Sequence, residues 1–416
     1  MIGKVGEFVE RNGFAPSRED LESVVRAFDG EARSALAGAP SSLRMLDSCL
    51  SCSVSAPRDA APVIVVDAGG TNLRVASVRM TADGPVFAHM RKSRMPGTDG
   101  TLSADAFHAA IAAEVDAVRS LDPEARGIGY CFSYECRSLP DGDAELLAWA
   151  KQVSAPEVVG QRVGAELVRR LSGGPLPVVV LNDTVATLFA GLSGRGGSCP
   201  GQIGFILGTG TNLACIENGT IRNAETGECD KVPRTPCDEA MDAALPDTGA
   251  APFEKMVSGA YLGGVGSQLI GTAARAGLIR CEDPDGLRLS TCDLDALGTD
   301  DAGEGKPWTI FSREDLPAVR ELARAVFRRA ALLTAAHLAA FVRRSAAAGR
   351  SPVRITVDGS TYWKTRAVDF DGIVRRELAE LAPGIPFEIF RVDEAPMVGA
   401  AVAAADVSRR FTKRND

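Results

Sequence analysis

VIVVDAGGTNLR at residues 63–74 decides the fold, because ILGTGTNLACIE at residues 206–217 answers it later in the chain. In the first stretch Val63 to Val66 is a continuous apolar run, the pattern of a strand buried on both faces. Asp67-Ala68-Gly69-Gly70-Thr71-Asn72 interrupts it with a tight polar turn, and a second strand runs from Leu73 to Met80. Strand, glycine turn and strand make a β-hairpin with a polar tip. In the second stretch Ile203 to Leu207 leads into Gly208-Thr209-Gly210-Thr211-Asn212 and the strand Leu213 to Glu217. Gly70-Thr71-Asn72-Leu73 thus recurs as Gly210-Thr211-Asn212-Leu213, in the same setting and about one domain length later. The recurrence predicts two copies of one α/β unit, with a small-molecule cleft between them.

The rest of the chain agrees with two domains, which 416 residues already favour over a single core. Residues 1–45 read as helical, with Ser17-Arg18-Glu19-Asp20 as a capping box. Residues 47–61 read as a Ser/Ala/Pro linker. A helix is predicted over 104–121, with Phe107, Ile111, Val115 and Val118 on one face. The run Leu176 to Leu181 reads as a strand that ends in Asn182-Asp183-Thr184 and passes into a helix. Residues 223–252 read as irregular and 281–308 as a surface excursion. Ser312-Arg313-Glu314-Asp315 reads as a capping box for a long helix ending near Gly349. A strand from Val353 to Val357 then ends in Asp358-Gly359-Ser360-Thr361, and 397–406 reads as a helix.

Composition excludes several classes of function. The chain is 45% apolar and 24% charged, ordinary for a globular protein. A net charge of −8 argues against nucleic acid or an anionic membrane as the main partner. MIGKVGEFVERNGFAPSRED at the N-terminus has no apolar core of a secretory signal, and no run of eighteen apolar residues occurs. The ten cysteines follow neither a disulfide framework nor a paired zinc motif, so reduced thiols in the cytoplasm are expected. Cys49 and Cys52 lack the strand–helix setting of a redox pair. The three histidines, His89, His108 and His337, do not suggest a metal site or a Ser–His triad, so the chemistry is expected to rest on carboxylates.

The two glycine turns suit a phosphate chain. Glycine lets backbone amides approach an anion closely, and threonine hydroxyls add donors. Asp67, at a strand end, is placed to hold a hydrated Mg²⁺. Asp183 ends a buried strand at the expected cleft, where a carboxylate can take a proton from a hydroxyl during phosphoryl transfer. The same Asn182-Asp183-Thr184 also reads as a helix N-cap.

Taken together the chain resembles the hexokinase family, in that family's motif order and over most of its length. SSLRML (41–46) resembles the segment before the first domain, and DAGGTNLR (67–74) the first phosphate motif. FSYECRS (132–138) with LLAWAKQ (146–152) resembles the sugar-binding segment, and LNDTVATLFAG (181–191) the base motif. ILGTGTNLACIE resembles the second phosphate motif, NAETGE (223–228) and FEKMVSGAYLGG (253–264) further sugar contacts, and VDGSTY (357–362) the adenosine motif.

The resemblance implies an α/β protein of two domains with duplicated actin-like, ribonuclease H-like fold. The small domain would span 62–181, completed by the C-terminal helix (about 398–416), and the large domain 1–61 with 182–397. It implies ATP and Mg²⁺, and transfer of the γ-phosphoryl group to the 6-hydroxyl of glucose or a similar hexose for glycolysis. Asp183 would be the general base, with Lys151 reaching the sugar and the transferring phosphoryl group. Ser133, Asn182, Asn212, Glu225 and Glu254 would bind sugar hydroxyls. Asp67, Gly69, Gly70, Thr71, Asn72, Arg74, Thr209 and Gly210 would serve the phosphates and Mg²⁺, the metal held through ATP and water by Asp67 and Asp183 without direct protein ligands. Gly359, Ser360 and Thr361 would line the adenosine site.

Three departures from the family bear on sugar selectivity. Ala150 stands where Thr usually precedes the lysine, removing a hydrogen bond of about 1 kcal/mol. Glu135 stands two residues after Ser133, where Pro is usual. The family's Trp and Gly-Phe pattern after Glu225 is missing, and 229–250 and 281–308 do not align. Competing readings are a sugar sensor that lost catalysis and an actin- or chaperone-like ATPase. The other bacterial sugar kinase and repressor family has a zinc-binding Cys/His cluster with no counterpart here.

Overall fold

The computed structural model describes residues 2–51, 61–149, 153–193, 200–299 and 310–415. Two helices open the chain, α1 (Ile2–Arg11) and α2 (Arg18–Leu36), the second starting on the expected Ser17–Asp20 capping box. Two large sheets follow, and five strands of each share one order. In the first, β2 (Val63–Ala68), β3 (Asn72–Thr81) and β4 (Gly84–Arg94) form an antiparallel meander. β5 (Ile128–Phe132) and β8 (Val178–Leu181) then add in parallel on the other side of β2. In the second, β9 (Gly201–Leu207), β10 (Thr211–Glu217) and β11 (Thr220–Asn223) form the meander. β12 (Val353–Asp358) and β13 (Phe387–Phe390) add in parallel beside β9. The repeated Gly-Thr-Asn-Leu is therefore the trace of a duplicated α/β unit, each copy turning after its first strand.

The copies also match in their helices. The first meander leads to α3 (Ala104–Leu121), and α4 (Val163–Arg169) precedes β8. The second leads eventually to α10 (Leu316–Ala347), and α12 (Phe370–Leu381) precedes β13. The last strand of each copy runs into α5 (Asp183–Ala190) and α13 (Ala395–Asn415), which pack on one another. α5 lies on β9 and β10 of the second sheet, while α13 lies on β2, β5 and β8 of the first. Glycines make these crossings possible. A Cβ on Gly399 would stand 1.7 Å from the Ala186 carbonyl oxygen, and one on Gly204 of β9 would stand 2.3 Å from that of Thr184. α5 is therefore wedged between a sheet and a helix, and the residue that opens it has little room to move.

The burial pattern follows the sequence. Ile64 and Val66 face a core with Phe107, Ile111, Val115 and Val118, while Val63 and Val65 face the α5–α13 layer. That two-sided burial is why the strand reads as an unbroken apolar run. α10 is long and apolar enough for a membrane span by composition, yet it is a core helix, mostly buried under the second sheet, α2 and α12. His337, on α10, is fully buried among Phe28, Phe205, Phe253 and Phe341, so packing is its role. His108 is buried beside Gln161.

Several expectations are corrected. Residues 47–51 of the expected linker belong to a strand, β1 (Leu46–Ser51), paired with β11 at the sheet edge. Within 223–252 lies α6 (Pro236–Ala243), capped by the Thr235–Asp238 box. The buried carboxylate of Asp238 receives the guanidinium of Arg329 at 3.0 and 2.6 Å. Short α7 (Pro252–Val257) and longer α8 (Leu262–Arg275) follow. The 281–308 excursion contains α9 (Thr291–Gly298); 300–309 lie outside the described residues. Ser312 and Asp315 do bond one another, but as a turn ahead of α10, which begins at Leu316 without a side-chain cap. After Ser133 the chain forms a small hairpin of β6 (Glu135–Ser138) and β7 (Ala144–Ala148). Between α12 and β12, the VDGSTY segment becomes the end of β12 and a single short helix, α11 (Ser360–Lys364).

Candidate active site

The C-terminal ends of β2, β8, β9 and β12 carry Asp67, Asp183, the second glycine turn and Asp358. Asn182 is the N-cap of α5, its carboxamide oxygen accepting the Thr184 amide at 2.9 Å and the Thr184 hydroxyl at 2.5 Å. The capping reading therefore holds for Asn182, whose NH₂ group is a separate pair of donors. Asp183 is the first residue of α5, where the helix dipole favours a carboxylate. The Thr184 amide also lies 2.9 Å from its Oδ1 and orients the group.

Asn223, at the end of β11, connects the sugar-binding candidates. It accepts from Asn212 Nδ2 at 2.9 Å and donates to Glu225 Oε1 at 2.6 Å. The Asn212 oxygen accepts the amides of Leu213 and Thr226, so the backbone holds it from both sides. Glu225 itself is in the left-handed region at φ 54°, a costly conformation for glutamate. Burial, with the nearby Asp183 charge adding, pushes its carboxyl up to about 7 against the hydrogen bond from Asn223. Glu254, in the first turn of α7, accepts the Thr211 amide at 2.8 Å. Gly210 makes that approach possible, since a Cβ there would lie 2.5 Å from Glu254 Oε2. Ser133 follows β5, its amide bonded to the Ala68 carbonyl next to the first turn. Lys151 and Ala150 lie outside the described residues.

The first turn is closed by the Gly69 amide bonding the Asn72 carbonyl at 3.1 Å, and the Tyr134 hydroxyl donates to the Gly69 carbonyl at 2.6 Å. Asp67, Gly69, Gly70, Thr71, Asn72, Arg74 and Lys92 line one open cavity. Within it Arg74 directs two N–H groups to Asp67 Oδ2, at 2.9 and 2.6 Å, and another to Glu394 ahead of α13. Arg74 thus braces two carboxylates as well as facing the turn. The second turn is held by Gly259 and Ala260, whose amides bond the carbonyls of Gly208 and Thr209. Thr361 is buried and its hydroxyl donates to Gly208 at 2.8 Å, so it fixes this turn against α11. Ser360 is exposed. Gly359 sits at φ 121° with its Cα against the turn, where a Cβ would be 2.1 Å from the Leu207 carbonyl.

Like charges converge here. Burial raises the carboxyl of Asp67, Arg74 opposing it and the charges of Asp183 and Glu394 adding to it. Asp358 is raised by burial too, with the Gly359 amide opposing and Asp183 and Glu394 adding.

Two hexokinase family models match this chain, one over residues 8–192 and the other over 202–406. The chain belongs to the hexokinase family. Among its curated relatives, hexokinase-1 of Schizosaccharomyces pombe is 28% identical over 393 residues, covering 82% of this chain and 78% of the relative. The glucokinase of Aspergillus niger is 27% identical, covering 84% and 86%. The solved hexokinase of Schistosoma mansoni, complexed with glucose, superposes with a TM-score of 0.79 at 26% identity, over 97% of this chain and 98% of the other. This hexokinase-family chain is thus a sugar kinase of the two-domain actin-like fold.

Kinases of this family use ATP and Mg²⁺, and the donor set fits them. Asp67 and Asp358 are carboxylates whose ionised forms their surroundings disfavour, a situation a cation relieves. Gly210 and Gly359 let the Glu254 carboxylate and the Leu207 carbonyl close on the second turn, where a Cβ would collide. Among the described residues no group of three or more His, Cys, Asp or Glu is assembled to hold a metal directly. Four residues of this site escaped the sequence reading as individuals: Asn223, Asp358, Glu394 and Lys92. Asn223 and Asp358 lay inside quoted motifs; Glu394 and Lys92 had no motif of their own.

Proposed function

We propose that the chain transfers the γ-phosphoryl group of MgATP to the 6-hydroxyl of glucose or a closely related hexose. The observation that carries this reading is Asp183 at the start of α5, its charge acting on Glu225 among the sugar-type side chains and on Asp67 and Asp358 at the strand ends beside the glycine turns. Asp183 takes the proton of the sugar hydroxyl as the phosphoryl group arrives. Asn182, Asn212, Glu225, Glu254 and Ser133 hold the remaining hydroxyls, and a wrong sugar leaves some of them unpaired. The turn amides, with Thr71 and Thr209, receive the phosphates, Lys151 stabilises charge on the transferring group, and Gly359 and Ser360 border the adenosine. Asp67 and Asp183 would hold the Mg²⁺ carried by ATP, which would supply charge neutralisation on the phosphates. Closure of the two domains on sugar excludes water and aligns the reacting groups.

The test is formation of hexose 6-phosphate from MgATP with glucose, mannose, fructose and glucosamine in turn. Turnover of at least one is expected. Sugar binding without any product would instead establish a sugar sensor.

A further inference from the structure

Arg44 and Glu135 form an ion pair between segments belonging to the two sheets. Arg44 lies just ahead of β1, at the edge of the second sheet, and its amide bonds the Ala224 carbonyl at 3.2 Å, between Asn223 and Glu225. Glu135 opens β6, two residues after Ser133, in the hairpin that packs through Tyr134, Ala144 and Leu146 on the core of the first sheet. A second contact runs beside the pair, from the Cys49 thiol to the Ser138 carbonyl at 3.7 Å. Glu135 lines a small pocket together with Asn182, Asn223 and Glu225.

We propose that Arg44 and Glu135 are positioning residues that latch the Ser133 hairpin to the Asn223–Glu225 segment and thereby set the affinity for the hexose. The proposal rests on the hexose kinase reading above. The latch touches neither the glycine turns nor Asp183, so it acts on sugar binding and leaves the chemical step alone. Arg44 also gives Glu225 a nearby positive charge, and Glu225 and Glu228 in turn favour the charged form of Arg44. Loosening the pair therefore disturbs Glu225 as well as Ser133. Both partners are more than a third exposed, which limits the effect and makes it sensitive to salt.

The experiment is steady-state hexose phosphorylation by the full chain at low and high ionic strength, with Glu135→Gln, Arg44→Met and the double variant. Each single change is expected to raise the hexose KM about two- to fivefold at low salt, the range of a half-exposed pair, with kcat and the ATP KM unchanged. The double variant should be no worse than either single one, and Arg44→Lys should restore most of the affinity. High salt should raise the KM of the native chain and not that of Glu135→Gln. Additive effects in the double variant, or single variants with native KM, overturn the latch. Absence of hexose turnover in the native chain would sink the kinase reading instead. Amide hydrogen exchange over 135–138 then decides the latch: faster exchange in Glu135→Gln supports it, and unchanged exchange removes it.

Discussion

Replacing Gly399 by alanine places a methyl group in the tightest contact between α13 and α5. The new Cβ would stand 1.7 Å from the Ala186 oxygen and 2.4 Å from its carbon, where ordinary contact begins at 3.4 Å. α5 cannot retreat, because on its far side Gly204 of β9 already lies against the Thr184 oxygen and the Leu188 nitrogen. The helices must part by well over an ångström. Overpacking of this kind costs about 1–3 kcal/mol, offset by roughly 1 kcal/mol of better helix propensity. Asp183 opens α5 one turn from the contact, and misplacing a reacting group by about 1 Å lowers turnover ~10²-fold. The assay is kcat at saturating hexose together with the urea midpoint. Gly30→Ala is the control: Gly30 is exposed in α2 with nothing within 4 Å of an added Cβ, so alanine there should stabilise by about 0.5–1 kcal/mol and leave kcat alone. A Gly399→Ala protein with native kcat would refute the claim that the crossing helices hold the base.

Two further outcomes follow from titrating groups. Burial lowers the imidazole of His337 from 6.5 to about 3, so the folded chain keeps it neutral while the unfolded chain binds a proton below pH 6.5. Stability should then fall as pH drops from 6.5 towards 3, by up to about 1.4 kcal/mol per pH unit from this group. His337→Leu, which also removes two ring nitrogens without hydrogen-bond partners, should flatten that slope in urea titrations; an unchanged slope would acquit the histidine. Glu225, pushed up to about 7, is only partly ionised at neutral pH. Sugar hydroxyls donating to its carboxylate favour the ionised form, so hexose affinity should weaken as pH falls below 7, up to about tenfold per unit. Calorimetric titration of glucose against pH measures this, and Glu225→Gln should abolish the dependence.

The parts of the fold legible from sequence were those whose signal is local. Val63–Val66 and Ile203–Leu207 are buried on both faces, and the glycine turns sit next to them. α3 showed its inward face through Phe107, Ile111, Val115 and Val118. β1 was missed because LDSCLS has no alternation, and its partner strand lies far along the chain. β4 is an edge strand, largely exposed and rich in charge, as edges often are. α6 was missed despite a readable cue, the Thr235-Pro236-Cys237-Asp238 cap. In the site, Asp183, Asn182 and the turns stood in motifs. The Arg74–Glu394 and Arg44–Glu135 pairs join residues remote in sequence, which no local pattern reveals.

The central claim is that Asp183 is the proton acceptor, and one measurement tests it most directly. MgATP-dependent hexose phosphorylation by Asp183→Ala is followed beside the native chain, with glucose titrated calorimetrically into both. The account predicts a kcat lower by about 10²–10⁴-fold with glucose affinity within a few-fold of native. Near-native turnover in the variant would contradict it and take the base role away from Asp183.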